Sequence, residues 1–342
     1  MRRLACSLIV FAACETAGDR SFNGQCPQGE TCSTKTPKGL HFRGPDFADD
    51  WIADATIKRT AVGGTQTITI LNAQDEQQLA FPYTTSIDSA SLTADAPNGA
   101  LLTLHGASAG TGMLRINDAA DGKLFDRVTV EATEIGHADV VAFHDEALLA
   151  SDAAPAIMVN TDVQLMARLY DSSGLHRLVD QSTLIAVTGQ STAQTTWDTV
   201  ALTPNAIGTI GVTLRAGGQQ RATGSITVVD SIDAVVPGYT SFDATFPPKA
   251  NQSLVACIEA IKGAQPVVGL DWTLSISGAD TSTSWVASNC MTFTRTTAGA
   301  VTLHGSAGGK SADFVIDVGA AAAAPYVPHA DVTPGEYAAS FD

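Results

Sequence analysis

The sequence predicts an all-β protein, built from three β-sandwiches in tandem. Polar and apolar residues alternate with a period of two over several short runs, as in strands that face a core on one side. The clearest runs are residues 65–70, 127–131, 225–228 and 312–318. β-Branched residues are frequent in these runs, and Gly, Asn, Asp and Pro separate them. The whole pattern recurs along the chain, which indicates a repeated domain.

The first residues are typical of a secretory signal peptide. Arg2 and Arg3 are followed by an apolar run over residues 4–13, and two alanines precede Cys14. A helix needs about 20 apolar residues to cross a bilayer, so this run is too short for a membrane span. We therefore predict a signal peptide over residues 1–13.

The end of this segment resembles the lipobox of bacterial lipoproteins, with Phe11 where that motif has Leu, Val or Ile. The resemblance implies that Cys14 carries lipid and becomes the first residue of the mature chain, which two or more acyl chains hold at a membrane. Because Glu15 is not the aspartate that favours inner-membrane retention, the resemblance points to the outer membrane. The alternative is an ordinary signal peptide, cut near Ala12 or Ala17, with a plain thiol at Cys14.

Composition and charge exclude some partners. The formal net charge is −16, and removal of Arg2 and Arg3 with the signal peptide would take it to −18. Such a chain repels polyanions, so we expect neither nucleic acid nor an anionic membrane surface as a direct partner. Lipid at Cys14 remains the expected route to the membrane, and no cofactor is expected.

Four cysteines remain once the signal peptide is removed and Cys14 is assigned to lipid. They are Cys26, Cys32, Cys257 and Cys290. An even number in an exported chain favours disulfides, and proximity favours the first with the second and the third with the fourth among three possible pairings. The second of these would close a loop of about 33 residues, for which the chain-entropy model gives about 3–4 kcal/mol. Zinc sites need short paired spacings that this sequence lacks.

Internal repetition sets the predicted domains. Residues 165–189 align with 254–278 without a gap, and residues 208–218 align with 299–309. Residues 100–106 also match the start of the latter segment, which indicates a third copy upstream. The predicted organisation is a signal peptide (1–13), a Cys-containing flexible tether rich in Gly and Pro (14–45), three domains (46–134, 135–230 and 231–319) and a flexible tail (320–342).

A unit of about 90–100 residues with roughly seven short strands has the size and pattern of an immunoglobulin-like sandwich. The array is similar to the bacterial Ig-like (BIG-type) domains of surface proteins, whose final hairpin it shares, and the segment from Cys26 resembles the heads of some Gram-negative envelope lipoproteins. Cys257, Trp272 and Cys290 follow the antibody Cys–Trp–Cys order. Cys290 nevertheless precedes the last hairpin by a strand, so we predict a different strand from the second antibody cysteine.

One motif suggests catalysis. Residues 106–110 match G-x-S-x-G, the elbow that exposes the nucleophilic serine of α/β-hydrolases, here Ser108. That mechanism requires a helix after the elbow, whereas residues 111–116 alternate as a strand does. We interpret the motif as a turn, equivalent to those at residues 216–218 and 306–309, and expect no catalytic residue.

Two further groups are weak candidates for ligand binding. His137, Asp139 and His144, with Asp145 and Glu146, bring nitrogen and oxygen ligands together at a domain boundary, where Ca²⁺ would stiffen an array. The simpler interpretation is a solvated linker and first strand, and we expect no metal.

Trp197 and Trp285 occupy similar places in the second and third copies, and as a surface pair they would stack on sugar rings. Packing in the core or at a sheet edge is the simpler interpretation.

The sequence thus predicts an exported, lipid-anchored, non-enzymatic surface protein with a spacing, adhesion or display role toward an unidentified protein or glycan. The alternative is a module that binds a glycan or another small ligand.

Overall fold

A computed structural model describes residues 26–46, 57–144, 155–190, 192–240, 248–284, 287–320 and 338–339. The predicted signal peptide, Cys14, Asp145, Glu146, Trp285 and nearly all of the predicted tail lie outside these residues. All regular secondary structure within these residues is β-strand, which confirms the predicted all-β fold class. Over the same residues, no helix is long and apolar enough to cross a membrane.

The strands are β1 (Leu40–Arg43), β2 (Arg59–Ala61), β3 (Thr65–Asn72), β4 (Tyr83–Ile87), β5 (Leu92–Ala94), β6 (Leu101–Gly106), β7 (Gly110–Asp118), β8 (Leu124–Thr133), β9 (His137–Phe143), β10 (Ala156–Met158), β11 (Val163–Tyr170), β12 (Leu178–Val179), β13 (Leu184–Val187), β14 (Thr192–Gln194), β15 (Thr199–Leu202), β16 (Gly208–Ala216), β17 (Gln219–Val229), β18 (Ala234–Thr240), β19 (Ser253–Lys262), β20 (Gln265–Val268), β21 (Thr273–Ser277), β22 (Thr281–Ser284), β23 (Cys290–Thr294), β24 (Gly299–Ala307), β25 (Lys310–Val318) and β26 (Ala338–Ala339). The four alternating runs of the sequence lie in β3, β8, β17 and β25, as predicted.

The chain forms two compact units. Described residues of the first fall in Met1–Asp46, Asp50–Gly136 and Leu169–Ser182, and all others belong to the second. The units do not coincide with the predicted domains. The first unit includes a segment of the predicted domain 135–230, and the second unit includes most of that domain together with 231–319. The division into three domains stays a prediction.

The first unit is a sandwich of two sheets. Their strand orders are β1-β3-β6-β5 and β12-β2-β8-β7-β4. Apart from β2 and β12, these are the ABED and GFC orders of an immunoglobulin-like sandwich. The inward face of each strand forms one core, because alternate residues of a strand point to the same side. Its largest fully buried members include Phe125, Leu40, Ile68, Leu102 and Leu114.

The second unit contains the same order twice. One copy has β14-β15-β11-β9 in one sheet and β13-β16-β17-β10 in another, while the other copy has β22-β23-β19 with β18, and β21-β24-β25. Strand β10 also pairs with β20, so a single sheet runs from β13 of one copy to β22 of the other. A large core lies beneath this sheet and includes Phe293, Leu254 and Leu303.

The upstream copy aligns differently from the sequence prediction. Strand β24 pairs with β21 and β25, and its counterpart in the first unit is β7, which pairs with β4 and β8. Gly110, Gly208 and Gly299 begin the three equivalent strands, with φ of 151°, 133° and 147°. Residues 100–106, which we matched to the start of β24, instead lead into and form β6. Successive strands alternate in the same way, so similarity of pattern alone did not separate one strand from the next.

Candidate functional site

The feature that recurs in both units is a parallel strand added to the sandwich. In each unit, the segment that follows a long strand reverses direction and pairs in parallel with a short strand. Strand β12 pairs in this way with β2, with Leu178 opposite Arg59. Strand β20 pairs likewise with β10, with Val267 opposite Ala156. Both additions are held by apolar side chains that are at most 1% exposed: Leu178, Val179, Val267 and Val268.

In the first unit, polar groups fix the added segment after β12. The Thr65 N–H donates to Oδ1 of Asp180 at 3.1 Å, and the Gln181 N–H donates to the Thr65 carbonyl at 2.8 Å. Asp180 is fully buried. Gly64 makes this approach possible, since a Cβ there would lie 2.6 Å from Cγ of Asp180.

Arg59 connects the added segment to the rest of the sheet. Its Nε lies 3.0 Å from Oε2 of Glu131 on β8, and its Nη1 lies 3.3 Å from Oδ2 of Asp171. Hydrogen bonds from Ser173 lower the pKa of Asp171, so this carboxylate is charged at neutral pH. The Gly136 N–H donates to the Tyr170 carbonyl at 2.9 Å. Both ends of the segment are thus tied to the first unit.

In the second unit, the corresponding contact is apolar. Ala156 and Val267 belong to the same buried cluster as Leu254 and Phe293. The Val159 N–H donates to the Val229 carbonyl at 2.8 Å, on the other side of the short strand β10. The central position of β10 joins two sandwiches of the second unit into one sheet.

A third short parallel segment lies at Lys249, beside the last strand of the last sandwich. The Gly319 N–H donates to the Pro248 carbonyl at 2.8 Å, and the Ala250 N–H donates to the Gly319 carbonyl at 2.9 Å. This parallel bridge occupies the position of β2 and β10 beside the last strand of its sandwich. On its outer side the Lys249 N–H donates to Oε1 of Gln252 at 2.9 Å, and no added strand pairs there within the described residues.

The segment from Cys26 packs on the first unit instead of forming the flexible tether predicted for residues 14–45. Cys26 and Cys32 form a disulfide. The Ser33 N–H donates to the Leu124 carbonyl at 2.8 Å, and Nζ of Lys35 lies 2.7 Å from Oδ2 of Asp118. Strand β1, which follows, pairs with β3 and contributes to the core. Glycine and proline content predicted flexibility here, whereas the disulfide and these polar contacts order the residues.

Glu30 makes the strongest charged contact of this segment. Its carboxylate accepts hydrogen bonds from Nη1 and Nη2 of Arg115 at 2.7 and 2.8 Å, and Nη1 of Arg127 lies 3.5 Å away. The hydrogen bonds from Arg115 lower the pKa of Glu30 below its usual range, against a smaller opposing effect of burial. The bidentate geometry fixes the disulfide loop on the outer face of β7 and β8.

This contact predicts a pH dependence. Because the pKa of Glu30 is lower in the folded state than in the unfolded one, its contribution is complete above pH of about 4.5 and is lost as pH falls through the folded pKa. We expect Glu30→Gln to lower the free energy of unfolding of the first unit by about 1 kcal/mol at pH 7. Denaturant titrations of both proteins from pH 7 to pH 2 should converge at the acidic end. Arg115→Met should abolish the same pH-dependent difference, and a difference that persists at pH 2 would contradict the assignment.

The second predicted disulfide is confirmed. Cys257 on β19 and Cys290 on β23 lie directly opposite each other, with a Cα–Cα distance of 4.1 Å, and both are buried. The bridge joins neighbouring strands of one sheet, whereas the antibody disulfide joins two sheets. Cys290 is on the strand before the last hairpin, as predicted. Trp272 is partly buried against the core of the second unit.

Among the weak ligand candidates, His137 and Asp139 lie on strand β9. Nε2 of His137 lies 2.7 Å from Oδ1 of Asp139, two residues along β9. His144 follows that strand and is half-buried. No group of three or more metal-ligating side chains occurs within the described ranges. Trp197 is also half-buried, and Trp285, its proposed stacking partner, lies outside the described residues.

The G-x-S-x-G segment is a corner between two sheets. It joins β6 to β7, and Gly106 lies so close to β2 that a Cβ there would be 2.4 Å from the Ala61 carbonyl oxygen. Ser108 is exposed, and its Oγ lies 3.5 Å from Oγ of Ser91. A turn between strands was predicted, but its position differs from the hairpins at residues 216–218 and 306–309. Those hairpins correspond to the turn between β7 and β8.

A different serine meets a histidine in the second unit. Oγ of Ser277 lies 3.0 Å from Nε2 of His304, and Nδ1 of the same ring lies 2.7 Å from Oδ1 of Asp313. The three residues come from β21, β24 and β25. Sequence analysis missed this group because its members are far apart in the chain and carry no motif. They become neighbours only once the strand register is known.

Comparisons with known proteins add little to this description of the fold. No protein-family model matches the chain, and no curated protein does. Similar solved structures include the Escherichia coli adhesin FdeC, at 16% identity over 82% of this chain and 96% of that chain, with a TM-score of 0.24. Domains 5–6 of the S-layer protein SbsC share 19% identity over 55% and 98%, with a TM-score of 0.23.

A third similar structure is an endo-fucoidan hydrolase of glycoside hydrolase family 107, at 14% identity over 80% of this chain and 44% of that chain, with a TM-score of 0.24. Identities and TM-scores as low as these carry no argument about function. The immunoglobulin-like architecture of this chain therefore rests on its own strand pairing.

Proposed function

We propose that the chain is an exported, lipid-anchored protein of the bacterial outer membrane with a spacing and display role. The observation that carries the proposal is the added parallel strand, which occurs once in each unit. A protein that holds a ligand-binding end away from a membrane needs domain junctions that resist bending. The strand addition through buried Val267 joins two sandwiches of the second unit in one sheet, which a flexible linker would not do.

The surface chemistry supports the same role. The chain is acidic, with a formal net charge of −16, so anionic membrane surfaces repel it and attachment depends on lipid. The lipobox resemblance assigns that lipid to Cys14. The partner at the far end would be a protein or glycan, through loops or strand edges of the sandwiches, and the display role requires no catalysis.

A cell-fractionation experiment tests anchoring and display together. We expect the native chain with an epitope tag after Asp342 to enter the outer-membrane fraction and to bind antibody on intact cells. Cys14→Ala should remain unprocessed or appear in the soluble fraction, whereas the matched variant Cys6→Ala should behave like the native chain. Equal membrane retention of Cys14→Ala would refute the lipid anchor. Antibody binding only after the outer membrane is permeabilised would refute surface display.

A further inference from the structure

The group formed by Ser277, His304 and Asp313 lies on the outer face of the sheet β21-β24-β25. His304 is directly opposite Asp313 across β24 and β25, while Ser277 is two residues along β21 from the residue opposite His304. Alternate residues of a strand share a face, so the three side chains project to the same side. The buried residues of β24, Val301 and Leu303, point to the opposite side.

The hydrogen bonds assign a role to each ring nitrogen. A carboxylate only accepts hydrogen bonds, so Oδ1 of Asp313 at 2.7 Å requires a proton on Nδ1 of His304. In the neutral ring, Nε2 is then an acceptor, and Ser277 lies 3.0 Å from it. The hydroxyl therefore donates to the nitrogen that serves as general base in serine hydrolases, and the carboxylate orients the ring from behind.

We propose that Ser277 is a nucleophile, activated by His304, that accepts the acyl group of small esters carried on polar molecules. Oγ of Ser277 would attack the ester carbonyl as its proton moves to Nε2 of His304. The bond to the leaving alcohol then breaks, and the alcohol takes that proton from His304. Water, activated by the same nitrogen, would hydrolyse the acyl-serine and release a carboxylic acid. Asp313 is a positioning residue in this scheme.

The neighbouring surface indicates the substrate class. An open depression of about 450 Å³ begins one row of residues beyond His304 and Asp313, on the side of His304 away from Ser277. Thr273, Ser306 and Ser311 line it on the next row of the face, together with Asp271 and Lys310. Hydroxyl, carboxylate and ammonium groups fit a polyhydroxylated molecule such as a glycan. None of these side chains offers an apolar pocket for a long acyl chain, so the acyl group should be as small as acetyl.

The exposure of the group limits the expected rate. The side chains of His304 and Asp313 are 41% and 66% exposed, so water screens their interaction. We therefore place the contribution of His304 at about 100-fold, the low end for general-base catalysis. The reaction goes beyond the display role and is independent of it, since neither the strand additions nor the lipid anchor contributes an atom.

The test uses the purified full chain and a fluorophosphonate probe, whose P–F bond breaks when a serine oxygen attacks phosphorus. We expect probe on Ser277 by peptide mass spectrometry, and a labelling rate about 100-fold lower in His304→Ala. Ser275→Ala is the matched control, because Ser275 lies on the same strand and face. It should label like the native chain, and Ser277→Ala should not label.

The second readout is ester hydrolysis. p-Nitrophenyl acetate should acylate Ser277 faster than p-nitrophenyl octanoate does, and the acetate rate should be about 100-fold lower in His304→Ala. All these variants are at surface positions, and a thermal unfolding transition like that of the native chain is the check that each one folds. Equal labelling of Ser275 and Ser277, no labelling of Ser277 in the folded chain, or an unchanged rate in His304→Ala would overturn the proposal.

Discussion

The double variant Cys257→Ala/Cys290→Ala is expected to lose about 3–4 kcal/mol of unfolding free energy in the second unit. The bridge spans 33 positions of sequence, and removing it restores conformational freedom to the unfolded chain. The two strands remain paired, because β19 and β23 share several further residue pairs. Denaturant unfolding of the oxidised native chain and the variant, followed by tryptophan fluorescence, measures the difference.

The other disulfide provides the control. Cys26→Ala/Cys32→Ala removes a bridge that spans only 6 positions, in the first unit. The chain-entropy model gives a smaller loss, about 2 kcal/mol, for so short a loop. A loss below about 1 kcal/mol for the Cys257/Cys290 variant would mean that the unfolded chain already holds these strands together.

Leu178→Ala is expected to lower the stability of the added strand in the first unit by about 2–5 kcal/mol. Leu178 is fully buried where β12 pairs with β2, so its truncation leaves a cavity between these strands and the core. The effect should be local. Hydrogen exchange should accelerate at β2, over Leu169–Ser182 and at Thr65 and Thr67, whose N–H groups donate to that segment, while β6 in the middle of the other sheet remains protected.

Leu175 is the matched control for this variant. It lies in the same segment, and 81% of its surface is exposed. We expect Leu175→Ala to change stability by less than about 0.5 kcal/mol. If Leu178→Ala exchanged like the native chain at β2, the added strand would contribute nothing to the stability of β2.

Sequence reasoning succeeded where side chains carry the signal. The alternation of residues 65–70 and 312–318 follows from one buried face, and the structure places both in strands. The pairing of Cys257 with Cys290 followed from proximity, and the strand of Cys290 followed from its distance to the last hairpin. In these cases a local pattern reflects a local physical constraint.

The added strands were beyond such reasoning. Strand β12 has two residues, and its pairing with β2 depends on backbone groups that every residue has. The polar contacts that fix it, such as Thr65 with Asp180, join residues that are 115 positions apart. The ordered segment from Cys26 was missed for a related reason, because composition cannot show that Glu30 meets Arg115. The group at Ser277 required the register of three strands.

The outer side of the parallel bridge at Lys249 affects whether neighbouring molecules associate through this edge. In the other two sandwiches, the equivalent short strands receive a further strand, and an exposed edge of this kind recruits strands from neighbouring molecules. The N–H of Lys249, which faces this side, is already donated to Gln252, and the lysine side chain adds charge. Neighbouring copies of the chain should therefore stay separate instead of pairing through this edge.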